Sequence, residues 1–366
     1  MKRSIRKAFT LIEIMAATAI MTIIVTTVLI LTTQVLDTWT RSSAQLQSFF
    51  EGGVVSSIIQ EDLESAFIKK NDLIWFTVYY PSDPIGMLSG KDPTDTVPMR
   101  PAELMFFSRT SNRPLYTYSS GSKAIIPGNL CAIKYQISLK SPFLDGSTSP
   151  KDNERQVNAN FGLYRAVIDS KSTMTEFIPG LEAMGSSNEA MSLASFWLSS
   201  RCTILDEEGT YKRGTTLSTW SLSPENLVVS NLIDFRITFA VRYPNADWTA
   251  TSSADIPEYK TAYIPAGVGF SIGKELTLLD AGGVRLIYQM TEKGKVTGGV
   301  TEDDLKNASL ASAEISMVFI SEQGSKLLRA AIKNNSLTED SFKELVSNAG
   351  SKAITKRIEF VAEPHE

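Results

Sequence analysis

The polar and apolar positions change character three times along the chain. A basic octet, MKRSIRKA, opens it, and from Ile14 to Leu36 no side chain ionises. A helix of that length, at about 1.5 Å of rise per residue, reaches across a hydrocarbon core of ~30 Å with some tilt. Thr18, Thr22, Thr26, Thr27, Thr32, Thr33 and Gln34 interrupt the Ile, Val, Leu and Met positions. A helical threonine can place its hydroxyl on a preceding carbonyl, so the run tolerates both lipid and a neighbouring helix. Helical spacing then continues through Leu36, Trp39, Leu46, Phe50, Val54, Ile58 and Leu63 to Phe67, with no proline before Pro81. The pattern predicts one long helix, membrane-spanning over residues 9–36 and amphipathic over 37–67, whose second half packs on a globular domain through that stripe. Gly52–Gly53 falls inside it and reads as a bend or a frayed turn, either a hinge or a tolerated interruption.

Downstream the period shifts from helical to alternating. Residues 73–80 (LIWFTVYY), 103–109, 130–139 and 161–168 read as strands, rich in aromatic and β-branched side chains. In the stretch from Asp234 to Tyr243, Phe235, Ile237, Phe239, Val241 and Tyr243 share one face, and Asp234, Arg236, Thr238 and Arg242 share the other. That is a strand with one buried and one wet face, most simply in an antiparallel sheet. Residues 313–321 and 354–361 read as closing strands, the last with Ile354, Ile358 and Phe360 inward; 325–332 and 338–348 read as short helices between them. Polar stretches rich in Gly, Pro and Ser at 81–101, 141–160, 206–223 and 245–259 read as loops or insertions. The expected class is α+β: a long N-terminal helix packed on a mainly antiparallel domain over 68–366, with large loop insertions.

Composition narrows the chemistry. The net charge of −4 does not advertise a nucleic-acid surface, and none is expected as a partner. The single histidine, His365, lies one residue from the end, which all but removes histidine triads and zinc–imidazole sites. Gly269–Lys274 resembles a phosphate-binding loop only superficially, with one residue too few between its glycines and Glu275 where a hydroxyl is needed; Gly267–Val268–Gly269 lacks a third glycine. Both read as turns. The acidic clusters at 206–208 and 302–304 lack the alternating ligands of a calcium loop and read as solvated loops. Asp62 and Glu64 read equally well as exposed helix positions. No cofactor, metal site or catalytic residue is expected. The only two cysteines are Cys131 and Cys202; Cys131 is in phase with Ile133, Tyr135 and Ile137, so it is either a buried small hydrophobe or one half of a disulfide with Cys202.

The remaining anomaly is Glu13, which breaks the apolar run near its start. A carboxylate at full membrane depth costs about 2.5–3.5 kcal/mol, so it sits at the interface or has a partner. Four cations precede the run, at Lys2, Arg3, Arg6 and Lys7, and Asp37 and Arg41 follow it. The positive-inside rule then places residues 1–13 in the cytoplasm and the rest outside, with Trp39 at the membrane exit as an interfacial aromatic or a packing residue.

The string KAFTLIEIMAATAI, with its basic leader, small residue, Phe-Thr-Leu-Ile-Glu and apolar helix, resembles the class III signal of type IV prepilins and pseudopilins. The resemblance implies a leader over 1–8, cleavage by a prepilin peptidase between Ala8 and Phe9, and N-methylation of Phe9. It further implies axial register between subunits set by Phe9 and Glu13. Ala8 stands where the family usually has glycine. The order of Asp62–Leu63, Gly162–Leu163–Tyr164–Arg165 and Leu232 to Tyr243 also resembles the J-type minor pseudopilins of type II secretion, and more narrowly the Verru_Chthon cassette protein C group. The implied protein is a non-enzymatic subunit of a type II secretion or pilus-like assembly. It would be single-pass in the inner membrane, with its domain periplasmic or extracellular. Its partners would be the peptidase, other pilins or pseudopilins, and inner-membrane lipid. The rival reading is a tethered extracytoplasmic domain that binds or hydrolyses a ligand and never enters a fibre.

Overall fold

A computed structural model describes residues 11–69, 73–80, 102–109, 116–119, 122–125, 130–140, 160–168, 170, 173–174, 178, 204–205, 211–212, 226–245, 259–265, 267, 269–272, 276–278, 287–290, 296–300, 308–333, 342, 344, 347 and 352–360. The chain divides into two compact units, Met1–Gln47 and Ser48–Glu366. Helix α1 (Leu11–Glu64) supplies the described part of the first and opens the second.

Within the second unit, the buried side of α1 carries Gly52, Val55, Ser56, Ile59, Asp62 and Leu63. This corrects the predicted stripe: Phe50 and Val54 are 75% and 61% exposed, whereas Val55 and Ile59 are 1% and 0% exposed. At 100° per residue, Leu46, Phe50 and Val54 fall on the opposite side of the helix. Apolar residues line both sides there, so spacing alone could not say which side meets the core. The glycines do not interrupt the helix, which is continuous through them. A Cβ on Gly52 would run into Ile354 Cδ1, so this glycine permits a close approach, while Gly53 faces open space. The helix stops at Glu64, short of Phe67, because Ala66–Phe67 (β1) leaves it to pair with a strand.

The other strands follow in order: β2 (Phe76–Tyr79), β3 (Glu103–Ser108), β4 (Tyr116–Ser119), β5 (Ser122–Ile125), β6 (Cys131–Lys140), β7 (Asn160–Ile168), β8 (Ile204–Leu205) and β9 (Tyr211–Lys212). Then come β10 (Leu227–Ser230), β11 (Leu232–Pro244), β12 (Tyr259–Ile264), β13 (Phe270–Ile272), β14 (Leu276–Leu278), β15 (Ile287–Met290), β16 (Val296–Val300), β17 (Ser309–Phe319), α2 (Glu322–Lys333) and β18 (Lys352–Glu359). One sheet has the order β10-β7-β6-β3-β2-β13-β14, with β1 beside β3; a second has β16-β15-β12-β11-β17-β18. The pairs β4-β5 and β8-β9 stand apart from both, and all pairings are antiparallel. The mixed α+β class and the antiparallel sheets are as the periodicity predicts.

A single apolar cluster joins Val55, Ile59 and Leu63 of α1 to Phe106, Ile133 and Leu163 of the first sheet and Phe235, Phe239 and Ile315 of the second. Phe239 stands edge-on to Phe76 at 5.5 Å and to Phe270 at 4.8 Å between ring centroids, an arrangement that suits the ring quadrupoles. β11 alternates as predicted, with Arg236 and Arg242 exposed. The first sheet does not: its other face is buried too, around Trp75, Met105, Phe107, Ala132 and Ile168. The phosphate-loop lookalike contains β13, whose Phe270–Ile272 are buried, so it is a core strand rather than a turn; Gly267, with φ of 97°, is the turn. α2 starts three residues earlier than predicted because Ser321 caps it, accepting the Gly324 amide at 3.1 Å. Most of the helix predicted at 338–348, and nearly all of the four predicted loop stretches, lie outside the described residues.

The chain passes from one sheet to the other through a single residue, Asn231, at φ 62°. Its amide donates to Phe161 O at 2.6 Å in the first sheet, and its carbonyl accepts the Ile320 amide at 3.0 Å beside the second. Its side-chain oxygen has no hydrogen-bond partner among the described residues, so the backbone is what the position requires. Asn231→Val should therefore cost about 1–2 kcal/mol, the left-handed penalty that a β-branched residue meets and asparagine largely escapes, while Asn231→Gly stays near the parent. Denaturant midpoints of the full-length chain in micelles would measure both.

Candidate functional site

Two features stand out from an ordinary fold. The first is the span Leu11–Trp39, 29 residues of mean hydropathy 2.5 with none of its most apolar window buried. It is long and apolar enough to cross a membrane. Its threonines behave as the sequence predicts: Thr22 and Thr26 donate to Thr18 O and Thr22 O at 2.8 Å each, Thr27 to Ile23 O at 2.8 Å, and Thr32 to Val28 O at 2.7 Å. Thr18, Thr33 and Thr38 do the same at 2.8–3.0 Å. Each hydroxyl is thus spent inside the helix, and the surface it leaves is a methyl group. Glu13 lies in the first turn, where a negative charge complements the helix dipole. Trp39 is 73% exposed at the far end of the span. Ala8 and Phe9, the predicted cleavage and methylation residues, lie outside the described residues.

The second feature is a buried ionic node where α1 ends. Asp62 is fully buried, which corrects its reading as an exposed helix position; Glu64 is exposed as expected. The Asp62 carboxylate meets Arg165 of β7 as a fork, with Nε 2.6 Å from Oδ2 and Nη2 2.7 Å from Oδ1. Tyr135 of β6 donates its hydroxyl to the same Oδ2, and Arg165 Nε also reaches the Tyr135 oxygen at 3.1 Å. Tyr135 and Arg165 are directly opposed in the β6–β7 ladder, which presents both groups at one point on the sheet. Burial, then the negative charge of Asp62, drives the Tyr135 pKa well above its ordinary range, and Arg165 offsets part of that. For Arg165, burial works to lower the pKa, but its hydrogen bonds and charge contacts with Asp62 and Tyr135 more than reverse it, so the net shift is upward. The phenol stays neutral and the guanidinium charged, so the node is one carboxylate held by one cation and one neutral donor.

Beside it, Ser65 Oγ and Ser108 Oγ lie 2.6 Å apart and the Arg109 amide donates to Ser65 O at 3.0 Å, so the helix end is tied to β3 as well. On the opposite face of the first sheet, Lys134 and Glu103 form a second buried pair at 3.4 Å. Cys131 is buried in phase with Ile133 and Tyr135 as predicted. Cys202, His365 and the acidic clusters at 206–208 and 302–304 lie outside the described residues. Among the described residues, no group of three or more His, Cys, Asp or Glu side chains could hold a metal ion.

No family model, curated protein or solved structure matches the chain. The candidate site therefore rests on its own geometry. Of the residues picked out in sequence, Asp62 and Arg165 meet, although their spacing alone gave no reason for it. The legible signal was an arginine in phase with Phe161, Leu163 and Val167 on an inward-facing strand, where an unpaired cation would be prohibitive.

Asp62→Ala leaves Arg165 buried without its counter-ion and should cost about 3–5 kcal/mol in chemical denaturation of the full-length chain. Tyr135 gives a pH signature. Its pKa is raised in the folded state, so its contribution to stability is complete below the ordinary tyrosine value of 10.0 and is lost as pH climbs above it. Tyr164, pushed up to about 12 by burial, acts in the same direction. In Tyr135→Phe the alkaline fall in stability between pH 9 and 12 should be shallower, with a loss of about 1–3 kcal/mol at neutral pH from the missing hydrogen bond; unfolding curves across that range would show both.

Proposed function

We propose that the chain is a membrane-anchored, non-enzymatic structural subunit of the pilin type, a minor pilin or pseudopilin of a type II secretion or type IV pilus-like assembly. The observation that carries this reading is the N-terminus. A basic leader, the string KAFTLIEI and an apolar helical span with an acid in its first turn follow one another without interruption. A helix serving only as a tether needs apolar length and flanking charge; it does not need a small residue, a Phe and an acid at fixed places.

In this reading a prepilin peptidase cuts between Ala8 and Phe9 and the new amine is methylated. Removing the leader takes away Lys2, Arg3, Arg6 and Lys7, the charges that hold the N-terminus at the cytoplasmic surface of the inner membrane. The helix is then easier to withdraw from the bilayer. Glu13, costly at membrane depth, is compensated in the assembly by the cationic amine of a neighbouring subunit's Phe9, which sets one subunit's height against the next. The domain beyond the helix lies in the periplasm or outside the cell. The same arrangement accounts for a span whose polar atoms are satisfied internally, since such a helix is at ease among lipid tails and among other helices.

Mass spectrometry of the N-terminal peptide from native membranes, with and without the host's prepilin peptidase, tests the proposal. A peptide beginning at N-methylated Phe9 only when the peptidase is present supports it. A peptide that retains Met1 or Lys2 in both samples would overturn it in favour of a tethered, unassembled domain. Glu13→Ala should still insert into membranes and be cleaved, yet fail to enter a sedimentable assembly.

A further inference from the structure

The buried side of α1 repeats an aliphatic residue every four positions, at Val55, Ile59 and Leu63. Shifting the helix along its axis by four residues, about 6 Å with a rotation of about 40°, sets each of these side chains where its neighbour was. Apolar burial has no direction, and ridges spaced four residues apart fit the same grooves after such a step. Packing by these residues therefore discriminates poorly between the observed register and its neighbours. Gly52 adds some preference, because a Cβ there would meet Ile354 Cδ1. That atom is the tip of a flexible side chain, but the buried Phe319 ring, with Cε2 at 3.1 Å, would have to give as well, so Gly52 contributes a steric preference beside the ionic one.

Asp62 behaves differently. A one-turn step puts Ile58 or Ala66 opposite Arg165. The guanidinium, which is 8% exposed in its side chain, would then keep its charge with neither fork acceptor, and Tyr135 would lose the acceptor of its hydroxyl. We propose that the Asp62–Arg165 pair, with Tyr135 as its third member, is a register lock that fixes the axial position of α1 on the first sheet, a task distinct from stabilising the fold. Buried ion pairs contribute little net stability over a well-packed apolar replacement, whereas fixing a register is their best-attested use. Axial load on α1 then passes into β6 and β7 instead of sliding the helix over them. This inference does not rest on the pilin-type reading.

Cysteine cross-linking in the full-length chain in micelles, with Cys131 and Cys202 replaced by alanine, tests the lock. Ser65→Cys with Ser108→Cys reports the observed register, since the two hydroxyl oxygens stand 2.6 Å apart. Lys69→Cys or Glu61→Cys, each with Ser108→Cys, reports a one-turn step in either direction. The parent should cross-link only at 65–108. Asp62→Leu with Arg165→Met exchanges the pair for apolar side chains and avoids the stranded charge of either single change. It should keep a cooperative thermal transition while the 65–108 yield falls severalfold and a 69–108 or 61–108 product appears. Parental yield at 65–108 without a displaced product would overturn the proposal, because the apolar face together with the ties of Ser65 and β1 to β3 would then suffice to set the register. Failure of the double variant to fold would also overturn it, by making the pair a stability element, as would loss of all three products, by showing detachment in place of slippage.

Discussion

A carboxylate withdrawn from water must be given back, by protein groups, nearly everything that water supplied. Asp62 receives that return from two strands at once, as a guanidinium fork from β7 and a hydroxyl from β6. The requirement is strict because the dehydration penalty of an ion far exceeds the net worth of most single contacts. It also reaches outward. With Asp62 fixed, the last turn of α1 ends where Ser65 meets Ser108, and Ala66–Phe67 can enter the sheet beside β3. The side of the helix that carries Asp62 is then the side that faces the core. That choice decides why Val55 and Ile59 are buried while Phe50 and Val54, no less apolar, are exposed.

This explains which parts of the fold were legible in the sequence. Strand β11 was readable residue by residue, because its alternation of Phe, Ile and Val with Asp, Arg and Thr describes a surface with one wet face. The apolar span was readable because length and the absence of charge are one-dimensional properties. The core side of α1 was not, since hydrophobicity is present on both sides and the deciding contacts, Gly52 with Ile354 and Asp62 with Arg165, join residues far apart in the chain. The strands between 259 and 300 are not legible in the sequence because they are short, three to six residues each, and take their conformation from neighbours, as β12 does from the much longer β11. In the candidate site, the residues at Ala8, Phe9 and Glu13 came from a local string, whereas the ionic node became visible only when two inward-facing charges were found to share one location.

The two halves of α1 solve opposite problems with the same geometry. Over Leu11–Trp39 the helix hides its polar atoms by folding threonine hydroxyls back onto its own carbonyls, and it presents an almost wholly apolar surface. From Gly52 to Leu63 it presents a side that includes a glycine, a serine and an ionised aspartate, and it is nonetheless buried. The first surface accepts any apolar surroundings. The second accepts one partner in one position. One helix thus has an end that is indifferent to which apolar surroundings it meets and an end that is selective for a single partner.

The pairing of β2 with β13 carries a consequence for biosynthesis. Val78 lies opposite Phe270, so a strand near the start of the domain waits for one made much later. Until then the Phe76 ring of β2 lacks the Phe239 and Phe270 rings that pack against it. Chains that depend on such distant pairings close slowly and expose apolar strands meanwhile. The apolar helix leaves the ribosome before the strands do, and it is long and apolar enough to be held by a membrane before any of this is complete. A nascent chain tethered at one end, with its strands kept apart from those of other copies, would be sheltered from intermolecular pairing during the interval in which its own partner strand does not yet exist.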